Sequence, residues 1–137
     1  MKLDSTAFLA DHELVEALET RSTPVFCDTD RILFTQGEEP EGLFILQSGT
    51  ATLSMTTPQG EEIMCIPIAA GSVLGLPGLI GNQPYSLTAI GMQGSTLRFV
   101  SREDFSHIIA EKPSLSMSVL RVLAAEVRTA RFAITAI

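Results

Sequence analysis

The 137-residue sequence predicts a mainly-β domain with flanking helices, its centre an antiparallel sandwich or barrel. Three observations predict it. Between Pro24 and Ser101, short apolar runs alternate with clusters of glycine and proline at regular spacing, the pattern of many short antiparallel strands. Before and after that stretch, the apolar residues switch to helical spacing. The composition, 45% hydrophobic with 18% charged residues, supplies one core and rules against disorder.

The elements follow in order. Asp11 to Glu19 reads as an amphipathic helix in which Leu14, Ala17 and Leu18 share a face and Asp11 serves as N-cap. Strands are expected at Arg31–Phe34, Leu43–Leu46, Ala51–Met55 and Ile63–Ile66. They are separated by turns at Gln36–Pro40, Gln47–Gly49 and Thr57–Gly60. Ser101-Arg102-Glu103-Asp104 is a capping-box pattern opening a helix to about Ala110. Pro113 interrupts, and Ser114 begins a last helix carrying Leu115, Val119, Leu123, Val127, Ala130, Ile134 and Ile137 in one apolar seam. Such a helix is about 35 Å long at 1.5 Å per residue, more than one small β-domain covers, so a partner helix is expected against it. Residues 1–112 therefore form the β-domain with its first helices, and residues 113–137 the C-terminal helix.

Nine basic against sixteen acidic residues give a net charge of −7, unsuited to non-specific contact with nucleic acid or an anionic membrane. Ile63 to Leu97 carries no charge, but its prolines and glycines break it short of the ~20 apolar residues of a membrane span. The first residues do not resemble a secretory signal, and Cys27 and Cys65 lack metal or redox spacing. Both read as reduced core thiols of a cytoplasmic protein.

Three segments carry a resemblance. Phe34 to Gly49 (Phe34-Thr35-Gln36-Gly37-Glu38-Glu39-Pro40-Glu41-Gly42, then the strand Leu43–Leu46 and Ser48-Gly49) resembles the opening signature of Crp/Fnr-family sensor domains. Gly37, Gly42 and Gly49 stand where positive φ or close strand approach is expected. Ala70 to Ile80, followed by Tyr85-Ser86-Leu87-Thr88-Ala89, is similar to that family's phosphate-binding cassette. Ser101 to Ile137 resembles the two helices that close the roll and form its dimer seam. The resemblance implies an antiparallel β-roll, that is a double-stranded β-helix or jelly roll of the cyclic nucleotide-binding type, with a long C-terminal dimerisation helix.

It also implies a ligand site at Gly75, Leu76, Pro77, Gly78, Leu79, Tyr85, Ser86 and Thr88, and a dimer interface at Val119, Leu123, Val127, Ala130 and Ile134. The cassette departs from the family pattern. Nucleotide-binding members carry a glutamate for the ribose and an arginine for the cyclic phosphate; in register, Leu76 and Tyr85 hold those places. Between Arg31 and Arg98 there is no Lys, Arg or His on any alignment. Losing a guanidinium forfeits about 1.5–3 kcal/mol of charge-assisted bonding, and a buried phosphate left without a partner is costly to desolvate. Tight cyclic-nucleotide binding is therefore not expected. Two alternatives stay open: these side chains fill the roll, or the pocket holds a neutral or weakly polar molecule on a floor of Leu76, Pro77, Leu79 and Ile80, with Tyr85, Ser86 and Thr88 as polar handles.

Other chemistries lack their residues. A cupin metal site needs two or three histidines on strands, whereas His12 and His107 fall on helices at opposite ends. An iron–sulfur cluster needs four thiolates and the chain has two cysteines; nothing in their spacing or that of the histidines suggests haem. Glu38, Glu39, Glu41, Glu61 and Glu62 lie in or beside turns without a nucleophile or orienting partner, and read as surface. Arg121, Arg128 and Arg131 read as the solvated edge of the seam.

The expectation is a non-enzymatic regulatory sensor domain. It has no catalytic residue, metal or cofactor, forms a homodimer through its C-terminal helix, and serves an unidentified small-molecule effector or association alone. It does not bind DNA by itself, because no helix-turn-helix follows, and it has no membrane partner. The alternative is a genuine effector-binding domain, for a cyclic nucleotide or another small molecule, of a transcription regulator whose DNA-binding domain is not in this sequence.

Overall fold

A computed structural model describes residues 8–136, with side chains as far as residue 127. The described residues form α1 (His12–Glu19), β1 (Thr23–Phe26), β2 (Arg31–Phe34), β3 (Gly42–Ser48), β4 (Ala51–Thr56), β5 (Glu62–Ile68) and β6 (Val73–Leu74). The chain continues through α2 (Leu76–Gly81), β7 (Thr88–Gly91), β8 (Thr96–Ser101), α3 (Arg102–Glu111) and α4 (Leu115–Ala136). None of these helices is long and apolar enough to cross a membrane.

The strands make two four-stranded sheets, ordered β1-β8-β3-β6 and β2-β7-β4-β5, with every pairing antiparallel. The chain changes sheet at most steps; the β4–β5 hairpin is the pair of consecutive strands that stays together. That alternation winds the two sheets into the expected β-roll. β3 is apolar on both sides because both are covered: Leu43 and Ile45 face the helices, while Phe44 and Leu46 face the other sheet.

Two cores result. The lumen of the roll is packed with residues including Phe8, Phe34, Leu46, Leu53, Ile66, Leu74, Tyr85 and Leu97. Outside the first sheet, Leu14 and Leu18 of α1 meet Phe105 and Ile108 of α3 and Leu115, Val119 and Val122 of α4, over Leu43, Ile45, Val100 and the cassette leucines. The N-terminal half of α4 is thus part of the domain's own wall. Ser101 caps α3 as its sequence predicts, its hydroxyl accepting from the Asp104 amide at 3.1 Å.

Some expectations change. Asp11 precedes α1 but makes no capping bond; its carboxylate accepts from Arg121 of α4 at 3.0 Å. Bonds from Ser118 and then Arg121 hold that carboxyl below its usual range. Cys27 is buried, whereas Cys65 is exposed, because the alternation of β5 turns Met64, Ile66 and Ile68 inward and Cys65 out. Val119 was expected at a dimer seam but is only 5% exposed, spent on the domain's own core, and Leu123 also packs on that cluster. The outward face of α4 instead shows Met117 and Leu120 (each 55% exposed) and Val127 (53%). Ala130, Ile134 and Ile137, with Arg128 and Arg131, lie outside the residues whose side chains are described.

Gly37 and Gly49 take positive φ (94° and 86°), and Gly42 is required by close approach: a Cβ there would stand 2.2 Å from the Val100 carbonyl oxygen. Gly42→Ala is therefore expected to force β3 from β8 and cost at least about 1–3 kcal/mol, read as a lower urea midpoint at unchanged slope.

Candidate functional site

A small pocket opens at one end of the lumen, where the roll meets α2 and α4. Its walls come from five places: Phe34 of β2, Leu53 of β4, Gly75, Pro77 and Gly78 around the start of α2, Tyr85, Ser86 and Leu87 before β7, and Glu126 of α4. Its free volume is about 20 Å³, room for about one water molecule.

The chain turns sharply at Gly75, with φ 100°, and Pro77 follows at a position that tolerates its missing N–H. A side chain on Gly75 would meet the Tyr85 ring at 3.2 Å and the Gly42 oxygen at 3.3 Å, so the glycine admits the ring. Tyr85 is held from every side. Its hydroxyl donates to Gly42 O at 2.7 Å, its amide to Glu38 O at 2.9 Å, and its carbonyl accepts from the Gly37 amide at 2.8 Å. Its ring stacks on Phe34 with centroids 4.0 Å apart and planes at 16°. Burial is the main influence on its phenol, pushing its pKa up, against which the hydrogen bond at Gly42 works.

These bonds explain why β7 begins at Thr88 and not at Tyr85: residue 85 spends its backbone on the Gln36–Gly42 turn. Thr88 belongs to that turn as well, its hydroxyl accepting from the Gln36 amide at 2.9 Å, and it does not line the pocket. Leu76 and Leu79, expected in the pocket floor, are buried instead in the helix-side core, and Ile80 is exposed to solvent. The six-residue helix shows one side to the lumen, which Gly75, Pro77 and Gly78 occupy, so its leucines fall on the other. Of the eight ligand-site residues expected, Gly75, Pro77, Gly78, Tyr85 and Ser86 meet at the pocket.

No basic residue lines it among the described residues. Arg102, which bonds to this region, donates to Pro40 O at 2.8 Å and Leu79 O at 3.4 Å, fastening α2 to the preceding turn from outside. Among the described residues no three His, Cys, Asp or Glu side chains converge as metal ligands. His12 lies exposed beside Glu16, and His107 is exposed on α3.

Sequence reasoning missed Glu126. In the structure it reaches into the pocket, and its Oε2 is shut off from water without a hydrogen-bond partner among the described residues. Burial pushes its carboxyl up to about 8. The signal was present: Glu126 follows Val119 by seven residues, two helical turns, and so shares the inward face of α4.

A stability profile follows from that carboxyl. Below about pH 4.5 it is protonated both folded and unfolded. Between there and about 8 the folded chain keeps a proton that the unfolded chain has lost, so stability falls as pH rises through this window. The full effect is on the order of 3–5 kcal/mol, less whatever an outward shift of the α4 turn relieves. Urea unfolding at pH 5, 7 and 8.5 should show the native chain losing stability relative to Glu126→Gln. Parallel profiles would mean that Glu126 is solvated.

The comparisons with known proteins agree with this architecture. The family model described as cyclic nucleotide-binding domain matches residues 24–112. A CRP-like cAMP-activated global transcriptional regulator of Mycobacterium tuberculosis is 25% identical over 114 residues, covering 83% of this chain and 51% of the relative. The chain spans about half the length of the curated relatives it matches. Among solved structures, the Thermus thermophilus catabolite activator protein superposes with a TM-score of 0.78 at 21% identity, over 91% of this chain and 59% of that one. The N-terminal domain of a transcriptional regulator from Streptomyces coelicolor A3(2) gives 0.65 at 22% identity, over 90% of this chain and 87% of that one. With its two antiparallel sheets, the turn at Gly75 and the closing helices in place, the chain belongs to the cyclic nucleotide-binding domain family.

Proposed function

We propose that this domain is a non-enzymatic regulatory sensor that associates with a second copy through α4 and does not hold a cyclic nucleotide tightly. One observation carries the reading: where a cyclic phosphate needs a cation, the pocket offers the Tyr85 ring and the Glu126 carboxylate, and no basic side chain among the described residues. A cyclic phosphate would forgo the charge-assisted bonds of a guanidinium, and ionisation of Glu126 at higher pH would oppose it further. The open volume of about 20 Å³ is far below the roughly 300 Å³ of the smaller ligand pockets, so an effector must displace the α4 turn bearing Glu126. Val127, the next residue, is on the outward face of the same turn, which would couple occupancy to association. The net charge of −7 speaks against DNA contact by this part itself; in a regulator that role would fall to another domain.

A second reading is a working cyclic-nucleotide domain. It is favoured by the mycobacterial relative, described as cAMP-activated, and by the match to the cyclic nucleotide-binding family model.

Thermal unfolding with cyclic AMP and cyclic GMP separates the two. A ligand present at about 100 times its Kd stabilises by about 2.7 kcal/mol, a shift of roughly 10 °C for a chain this size. No shift is expected at about 1 mM of either nucleotide; a clear one would establish the second reading. Val127→Glu is expected to give a monomer in sedimentation that keeps its fold, read as an unchanged far-ultraviolet circular dichroism spectrum, because the side chain is outside the domain's own core. An unchanged dimer would remove α4 as the interface.

A further inference from the structure

The pocket has a chemistry of its own. One wall is a carboxylate whose Oε2 has neither water nor a hydrogen-bond donor among the described residues. Two others are the stacked rings of Phe34 and Tyr85, the second fixed by its hydroxyl bond to Gly42. Leu53, Pro77 and Leu87 supply apolar surface. Aromatic faces are electron-rich and attract cations, and a desolvated carboxylate does so more strongly. Glu126 also stands on a long helix with solvent-exposed positions on either side of it in sequence, at Ala124 and Val127. Nothing in helix formation requires a carboxylate at the inward position.

Resting on the sensor reading above, we propose that this pocket takes a small organic cation, an alkylammonium group whose charge meets the Glu126 carboxylate and whose carbon chain lies against Phe34 and Tyr85. In the empty domain Glu126 keeps its proton at neutral pH, which spares the fold a buried charge. A bound cation favours the ionised form, so binding releases that proton. No other group lining the pocket among the described residues titrates near neutrality, since burial holds the Tyr85 phenol above its usual value. An anion, phosphates included, would oppose ionisation of Glu126 and so gains nothing from it.

Isothermal titration of the intact chain with three probes of one size tests this: n-butylammonium, n-butanol and butyrate at matched ionic strength. Saturable binding is expected for the ammonium alone. It should weaken at least tenfold in Glu126→Gln and about threefold in Phe34→Leu, which keeps bulk but loses the ring. Raising the pH from 6 to 8 should tighten it by roughly fiftyfold, the gain in ionised Glu126 for a carboxyl at about 8, with protons released to the buffer. Absence of saturable ammonium binding, equal binding of n-butanol, or an undiminished Glu126→Gln variant would overturn the proposal. Cyclic AMP, titrated alongside, keeps the two failures apart. Silence from both ligands overturns the cation alone, whereas tight cyclic AMP binding overturns the sensor reading on which it rests.

Discussion

Tyr85 binds the Gln36–Gly42 turn through its amide, its carbonyl and its hydroxyl, and its ring closes the end of the roll on Phe34. Much else hangs on this one residue. Gly42 needs its bare backbone against Val100, and its carbonyl, on the same stretch, accepts the tyrosine hydroxyl. Gly75 has no side chain where the ring passes. The close approach of β3 to β8 at Gly42 and the turn at Gly75 therefore both adjoin a single phenol. The tyrosine is satisfied from within by the Gly42 carbonyl, and its ring closes the lumen.

The helices divide their work along α4. Its first turns face inward through Leu115, Val119 and Val122 and complete a core shared with α1 and α3, while Arg121 ties it to Asp11. Farther on, the inward position is Glu126, and the surface behind it is no longer core but pocket. Met117, Leu120 and Val127 remain outside, spaced three and seven apart, as a helix laid against another helix requires. Binding at the pocket and packing on the outer face thus meet within one helical turn.

Glu126 makes the pocket an unfinished arrangement. A carboxylate shut away from water carries a large desolvation penalty in its charged form, and proteins retain such groups where a partner arrives. Here the neutral acid is the folded chain's own solution at moderate pH. The pocket's aromatic walls, its lack of a basic side chain among the described residues and its nearly closed volume all bear on what kind of partner is compatible with it.

Much of the architecture was legible in the chain itself, because it rests on local signals. Alternation placed β2 to β5 within a residue or two, the Ser101 capping box placed α3, and Pro113 separated it from α4. The absence of any basic residue between Arg31 and Arg98 already spoke against a phosphate cradle. What the chain could not show were the facings that arise when elements far apart in sequence meet. Leu76 and Leu79 turned to the helix-side core because a one-turn helix has only one lumen side, and glycine and proline hold it. Val119 went to the domain's own core, and Glu126, two turns on, followed it inward to face Tyr85 across 41 positions of sequence. Periodicity and composition determined that this chain forms a β-roll closed by helices, since each element's apolar pattern is its own. Only the tertiary structure decided which residues share the pocket, because that depends on where separate elements come to rest against one another.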